Sequence, residues 1–562
     1  VGSEMCIRDR YYTYNQFDFE AKTQGSPTDD VPTLNVGSER TFTRTEKTAY
    51  RILSGFGRVN YNYNMKYLLS FTARYDGISR LKDNRWGFFP GVSVGWNIME
   101  EDFWKESKVS DIVSNLKPRL SYGVNGNVNG IGNYEVYGEY AQVDAKTYGG
   151  ATALYNKKLL NTNLRWEQSQ TFEVGLDIGF LQNRFSFILD FYSRRTKDLL
   201  TKQALPGYTG FSDIVTNMGT LRNSGFEAEV KANIINKGGF TWDMTANITS
   251  VANKIISLPY NNVENNRVGG YEVAAGKVDA DGKFPTKWIA GRQEGGKLGE
   301  LVGYRQQHVF KDWDDVKQHA NLRVDEVANL YGPGLADQIN PATGKTYKES
   351  SGWQPIEPGD ACWEDINGDN IINGYDRSVM GNIFPNVTGG FSTTFGYKGL
   401  SLYARFDYAL GHTLYNDLKA RSLGQYQGQF NIITDVKDMW SEANPNSDLT
   451  KFYYADQLAK KNITRSNNAS TAADNNSSRY YEKGDYLALR EITLSYQLPK
   501  SLISKAHLTE ASVYVTGQNL FYITGYDGVS PEPAVSTTYG RGIDNGRYPT
   551  PRTFLFGLSL TF

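Results

Sequence analysis

Cysteine is nearly absent from this chain. Cys6 and Cys362 are the two present, too few for a disulfide framework and without the paired spacing of a zinc site. Long apolar runs are absent as well: none reaches the 18 residues that a transmembrane helix needs, and mean hydropathy is −0.52. Charge of one sign is lacking, since 60 basic and 61 acidic residues leave a net charge of −1, so no bulk field draws the chain to nucleic acid or anionic lipid. Proline is sparse, at 18 residues against 56 glycines. The four histidines, His308, His319, His412 and His507, are scattered without an HExxH pair, which argues for solvated or girdle positions rather than zinc. No signal peptide is recognisable, and the first ten residues, VGSEMCIRDR, look like translated sequencing-adaptor sequence. The natural start is therefore expected to lie elsewhere, with residues 11–562 forming a partial structure.

Aromatic residues and alternation are what the chain has in abundance. Tyr numbers 38, Phe 28 and Trp 10, the material of interfacial girdles. In residues 552–562, Phe554, Phe556, Leu558, Leu560 and Phe562 share one face, while Thr553, Leu555, Gly557, Ser559 and Thr561 share the other. A strand of that length, tilted near 45°, rises roughly 25 Å, the height of the apolar band of an outer-membrane barrel.

The pattern recurs. Phe172, Val174, Leu176, Ile178 and Phe180 alternate with Glu173, Gly175, Asp177 and Gly179, and Phe226, Ala228, Val230, Ala232 and Ile234 with Glu227, Glu229, Lys231 and Asn233. Tight turns are expected at 182–183 and 236–239, with further hairpins around 64–66, 295–296 and 398–399. About fifteen or sixteen strand candidates emerge, with Arg74, Arg405 and Asp407 kept off the apolar face. A cation on the lipid face at mid-membrane costs roughly 2 to 4 kcal/mol, which gives this segregation its energetic reason. The expected fold is all-β, a transmembrane antiparallel barrel. Counting back from a periplasmic carboxy terminus puts 527–551, 412–484 and 312–387 outside and 499–510 and Lys398 inside.

Long stretches also carry a family resemblance, from about residue 50 to 562. YLLSFTARYDGISRLKDNRWGFFPGVSVGWNI (67–98), LKPRLSYGVNGN (116–127), LRWEQSQTFEVGLDIGFLQNRFSFILDFYSRRTKDLL (164–200), NMGTLRNSGFEAEV (217–230), WEDINGDNIINGYDRSVMGN (363–382) and VYVTGQNLFYITGYDG (513–528) are similar to the SusC/RagA family of TonB-dependent outer-membrane transporters. The resemblance implies a 22-stranded barrel filled by a plug, a SusD-like surface lipoprotein as lid, a source in the Bacteroidota, and TonB-powered import of oligosaccharides or peptides. At the amino end the chain departs from the family: no carboxypeptidase-like domain, TonB box or plug is found. Two other classes stand beside this reading: a passive porin or surface adhesin, and a secreted β-rich enzyme or lectin.

The sharpest local motif lies in an outer loop, at 365–376. Asp365, Asn367, Asp369, the carbonyl of Ile371, Asn373 and Asp376 occupy positions 1, 3, 5, 7, 9 and 12 of an EF-hand-like calcium loop. Position 6, where the turn needs positive φ, is Asn370 rather than Gly. The competing reading is an Asx-rich turn with no ion. No catalytic constellation is expected. Gly91-Val-Ser-Val-Gly95 fits a nucleophile elbow but lies inside an alternating strand, and Gly344-Lys345-Thr346 lacks the earlier glycine of a P-loop. Trp313, Trp353, Trp363 and Trp440 are candidates for stacking on sugars, with loop packing as the commoner role. Glu227, Glu229, Lys231, Asp177 and Asp190 are candidates for contact with cargo or plug from the lumen face.

Overall fold

The computed structural model describes the chain apart from residues 1, 26–33, 35–37, 139, 149–150, 157, 426–432, 453–476, 505–506, 533–541 and 547. It divides into two compact units, Val1–Gly225 with Ile256–Tyr260, and Phe226–Ile255 with Asn261–Phe562. Each is built on an antiparallel meander.

In the first unit the long strands are β1 (Gly2–Gln24), β2 (Glu39–Tyr63), β3 (Tyr67–Ile78), β4 (Trp86–Trp96), β5 (Val113–Asn127), β6 (Glu167–Phe180) and β7 (Phe185–Lys197), each paired with the next. In the second they are β8 (Thr220–Lys237), β9 (Phe240–Ser257), β10 (Val387–Tyr397), β11 (Leu400–Leu410), β12 (Tyr486–Gln497), β13 (Glu510–Thr524) and β14 (Thr553–Thr561), in sequence order. Among the described residues no helix is long and apolar enough to cross a membrane.

Register turns sequence alternation into continuous stripes. Tyr61, Leu69, Val94, Leu120, Val174 and Phe191 are directly opposed across six successive strands, β2 to β7. All six are between 41% and 59% exposed, which a water-facing sheet does not do with its apolar face. The second unit carries the same device in the row Trp242, Phe395, Leu402, Leu494, Val515 and Phe556. On the opposite face of the first unit the neighbouring row is polar: Asn60, Ser70, Ser93, Ser121 and Glu173.

Connections sort by length in the second unit but not in the first, where the 16 residues of 97–112 share an end with the tight turns and the 7 residues of 79–85 lie at the other. One end of the first unit has 64–66, 97–112 and 181–184; the other has 25–38, 79–85, 128–166 and 198–219. The second unit has 238–239, 398–399 and 498–509 at one end, and 258–386, 411–485 and 525–552 at the other. The tightest turns place two consecutive residues in the left-handed region: Asn64 and Met65 (φ 52° and 58°), Gly238 and Gly239 (64° and 79°), Lys398 and Gly399 (48° and 89°). That is the geometry whose twist matches the flanking strands. Met65 tolerates it with help from Asn62 Oδ1, which accepts the Met65 N–H at 2.8 Å.

Two expectations need correction. Fourteen long meander strands are described rather than fifteen or sixteen. The hairpin expected at 295–296 is not a barrel hairpin: Thr286–Ile289 pairs with Tyr271–Ala274, Glu300–Tyr304 pairs with Arg377–Asn382, and Gly295 and Gly296 bond to the backbone of Ile255. The glycine pair is a real turn signal, but its flanking runs are too short to span a membrane. The connection between β9 and β10 consequently runs over 258–386, longer than the loop expected at 312–387.

Most buried cores draw on these connecting segments, while Ala409, Tyr486 and Ala488 form one on β11 and β12 themselves. Leu81, Phe89, Val128, Ile131, Val136, Leu164 and Trp166 form one in the first unit. In the second, segment 258–386 carries cores around Phe310 and Val316, around Tyr304 and Trp363, and around Tyr331 and Tyr347.

Candidate functional site

Charges on the polar face of the first unit are paired. Arg119 on β5 reaches Asp177 and Asp190, each at 2.9 Å, with Glu173 at 3.8 Å, and Lys117 lies 3.3 Å from Asp177. Period-2 alternation makes this possible, because Lys117, Arg119 and Ser121 share a face with Glu173 and Asp177 in the adjoining register. Lys117, Arg119, Asn60, Ser70, Ser93 and Ser121 are among the residues lining a hollow of about 620 Å³. Asp177 and Asp190 are thus brought together, whereas Glu229 and Lys231 on β8 form their own exposed pair at 2.6 Å. Glu227 stays exposed on the same strand.

In the second unit a β-bulge shapes the wall. Arg405 opposes Glu491 while Phe406 opposes Leu489, so Arg490 is the extra residue between them. A bulge re-aims its side chain. Arg490 engages Asp407 on β11 and Glu532 in the connecting segment 525–552, and donates to the Tyr522 hydroxyl at 3.0 Å. Beside it His412, almost fully buried, meets the Pro531 carbonyl at 2.9 Å. Segment 525–552 is therefore held from the barrel wall by the Arg490 guanidinium and the Tyr522 hydroxyl, which donates to Glu532 at 2.8 Å, and from segment 411–485 by the His412 imidazole. Sequence reading missed Arg490, because nothing in Leu489-Arg490-Glu491 signals a bulge.

Residues 365–376 fold as a ladder of side-chain-to-backbone bonds. Asp365 accepts the N–H of Gly368 (2.6 Å) and of Asn370 (2.9 Å), Asn367 that of Asp369 (3.2 Å), Asp369 that of Ile371 (2.7 Å), and Asn373 that of Tyr375 (2.9 Å). Asn370 has φ 64°, the left-handed conformation that the sixth position of a calcium loop requires. Asn367 and Asp376 are fully buried, and Asp376 accepts the N–H of Ile366 (2.8 Å) and of Asn373 (2.9 Å). Burial pushes the Asp376 carboxyl up to about 6; the two N–H groups oppose this, and the Asp365 and Asp369 charges add to it. The Lys277 ammonium bonds the Asp365 carbonyl at 3.1 Å.

Among the described residues, the group of three His, Cys, Asp or Glu side chains with ligand atoms within 4.8 Å of one another is a different one: His308, Asp315 and His319. This corrects the view of the histidines as scattered. His308 lies on the strand Gln306–Val309, paired with Ala361–Trp363, and α1 (Trp313–Ala320) carries Asp315 and His319 one turn apart. Asp312 caps α1 by accepting the N–H of Asp314 and Asp315. Asp315 Oδ1 meets His308 Nε2 at 3.3 Å and His319 Nδ1 at 2.8 Å, while its Oδ2 accepts the Lys311 N–H at 2.9 Å. Burial pushes the Asp315 carboxyl up, but the Lys311 N–H and the two imidazoles outweigh it and hold the group below its usual range. The histidines are 11 residues apart in the chain, one on a strand paired with Ala361–Trp363 and one on the helix that follows it.

The remaining motifs resolve into packing. Trp363 is buried, Trp353 lies edge-on to Tyr347, and the Trp440 indole donates to the Lys311 carbonyl at 3.2 Å, leaving Trp313 half exposed. Cys362 is buried with its thiol pushed up by burial against the pull of Arg323. Gly91 to Gly95 lie within β4, with Ser93 flanked by Ser70 and Ser121 rather than by an acid or a histidine.

Residues 7–338 match the family described as TonB dependent receptor-like, beta-barrel. Among curated relatives, TonB-dependent receptor P3 of Formosa agariphila is 30% identical over 519 residues, covering 91% of this chain and 45% of its own length. TonB-dependent receptor SusC of Bacteroides thetaiotaomicron is 31% identical over 536 residues, covering 92% and 45%. A solved structure of the RagAB peptide transporter superposes on the whole chain with a TM-score of 0.73 at 22% identity, using 53% of its own chain. The chain spans about half the length of the curated relatives it matches.

Proposed function

Given that this chain belongs to the TonB-dependent receptor family, as an outer-membrane β-barrel of SusC/RagA type, we propose that the complete protein imports oligosaccharides or peptides across the outer membrane, with TonB as the energy source and a SusD-like lipoprotein as lid. The observation that carries the reading is the pairing of an exposed apolar row with a polar row on the opposite face of the first unit, with connecting segments in each unit that have cores of their own. Lipid on one side and a wet, charged lumen on the other is what translocation of polar cargo requires. Covalent chemistry plays no part in it. The lid reading rests on the names of the relatives, SusC and RagAB, and on the size of segment 258–386, whose buried cores offer a lipoprotein a folded surface to sit on. Deleting TonB should abolish uptake of a labelled cargo by cells carrying the full-length gene. Undiminished uptake would make the protein a passive porin.

Within segment 258–386 we read 365–376 as a calcium staple, with Asp365, Asn367, Asp369, the Ile371 carbonyl, Asn373 and Asp376 as its ligands. The Asx ladder and the left-handed Asn370 support this; the backbone N–H bonds that now hold Asp376 are the arrangement that the ion would have to replace. Extracellular calcium modules bind at roughly 10⁻⁴ to 10⁻³ M, which suits a structural ion. Asp365→Ala or Asp369→Ala is expected to remove most of the calcium protection of this segment against protease at millimolar calcium, with barrel assembly intact. Protection that does not respond to calcium in the wild type would leave an Asx-rich turn.

A further inference from the structure

We propose that His308, Asp315 and His319 form a binding site for a divalent transition metal of borderline softness, zinc foremost, on the outer segment 258–386. Two imidazoles and one carboxylate are the donor set that zinc, nickel and copper share, and they exclude a calcium site, which is built from oxygens. The three ligand atoms come from two elements that fold fixes against each other. His308 stands on a strand paired with Ala361–Trp363, with the Phe310 ring edge-on beside its imidazole. Asp315 and His319 stand on α1, whose inner residues Val316 and Ala320 are buried in the same core as Phe310 and Cys362. The scaffold therefore sets the spacing before any metal arrives, which reduces what ordering the ligands would cost.

The spacing suits the ion. Donors bound tetrahedrally at zinc–ligand distances near 2.0 to 2.2 Å lie about 3.3 to 3.5 Å from one another. Asp315 Oδ1 stands 3.3 Å from His308 Nε2 and 2.8 Å from His319 Nδ1, and the two imidazole rings are 5.3 Å apart, edge to face. Binding would open the His319 contact by about half an ångström and replace a shared hydrogen bond with the metal. Asp315 Oδ2 already accepts the Lys311 N–H, which leaves Oδ1 turned toward both histidines and supplies the outer-shell bond that ligating carboxylates make. His308 and Asp315 are half-buried and His319 is exposed, so the site is open to the medium and water completes the coordination.

The test is zinc titration calorimetry on the untagged full-length protein in detergent, stripped with chelator and held in 1 mM calcium so that oxygen sites are filled. The wild type should take up one zinc more per chain than His308→Gln/His319→Gln. His319→Gln alone, a change at an exposed helix position, should weaken that zinc at least about tenfold while heat-modifiable mobility, the mark of an assembled barrel, stays unchanged. Scattering at the zinc absorption edge should place the ion among the three side chains. Equal zinc uptake by the wild type and the double variant, or a zinc peak elsewhere with none at this cluster, would overturn the proposal and leave Asp315 as a hydrogen-bond acceptor for two histidines.

Discussion

Leu120→Arg should abolish assembly of the full-length protein in the outer membrane, while Ser121→Arg, one residue further along β5, should leave it near the wild-type level. Leu120 sits in the middle of a 15-residue strand and in the exposed apolar row, opposed by Val94 and Val174. A guanidinium there has no partner but lipid and costs roughly 2 to 4 kcal/mol at the midplane. Ser121 points the other way, between Ser93 and Glu173, where a new cation meets water and a carboxylate. Both variants add the same charge at nearly the same depth, so the contrast isolates the face. Membrane fractionation and heat-modifiable mobility read the outcome, and equal assembly of the two would contradict the assignment of faces.

Arg490→Met should release segment 525–552 and destabilise the barrel wall by about 1 to 3 kcal/mol, less than the full loss of a buried pair because Asp407 and Glu532 keep some contact with water. Removing the guanidinium leaves the two carboxylates without the cation that joined them, while the Tyr522 hydroxyl keeps its bond to Glu532 at 2.8 Å and the Tyr486 hydroxyl its bond to Asp407 at 3.3 Å. Adding Asp407→Asn and Glu532→Gln to Arg490→Met should recover part of the loss by removing the stranded charges. Protease cleavage within 525–552 and the midpoint of thermal unfolding measure the two effects. Unchanged values in the single variant would mean that His412 and the rest of the segment suffice to hold it.

The strands were legible because their periodicity is strict and their energetic reason is local to each residue. Residues 172–180 and 552–562 declare their faces without any knowledge of their neighbours, and the register places Val174 and Phe556 in the apolar rows as expected. Turns were legible where a pair such as Lys398-Gly399 closed two long alternating runs, and misleading at Gly295-Gly296, where the runs were short. The Asx pattern of 365–376 was readable because all its bonds are made within a dozen residues. What stayed hidden has no such local mark. The Arg490 clamp needs a bulge together with a carboxylate 42 residues away. The histidines do share a window of twelve residues, but the strand-to-helix turn that brings them together carries no periodicity, and no short window contains the Arg490 clamp.

Labelling of single cysteines on intact cells tests the central claim, that long segments face the outside and tight turns the periplasm, most directly. In a Cys6→Ser background, with Cys362 buried, Lys345→Cys in segment 258–386 should react with a membrane-impermeant maleimide on intact cells. Gly238→Cys, in the turn between β8 and β9, should react only after the outer membrane is permeabilised. Labelling of Gly238→Cys on intact cells with Lys345→Cys protected would invert the barrel and contradict the account.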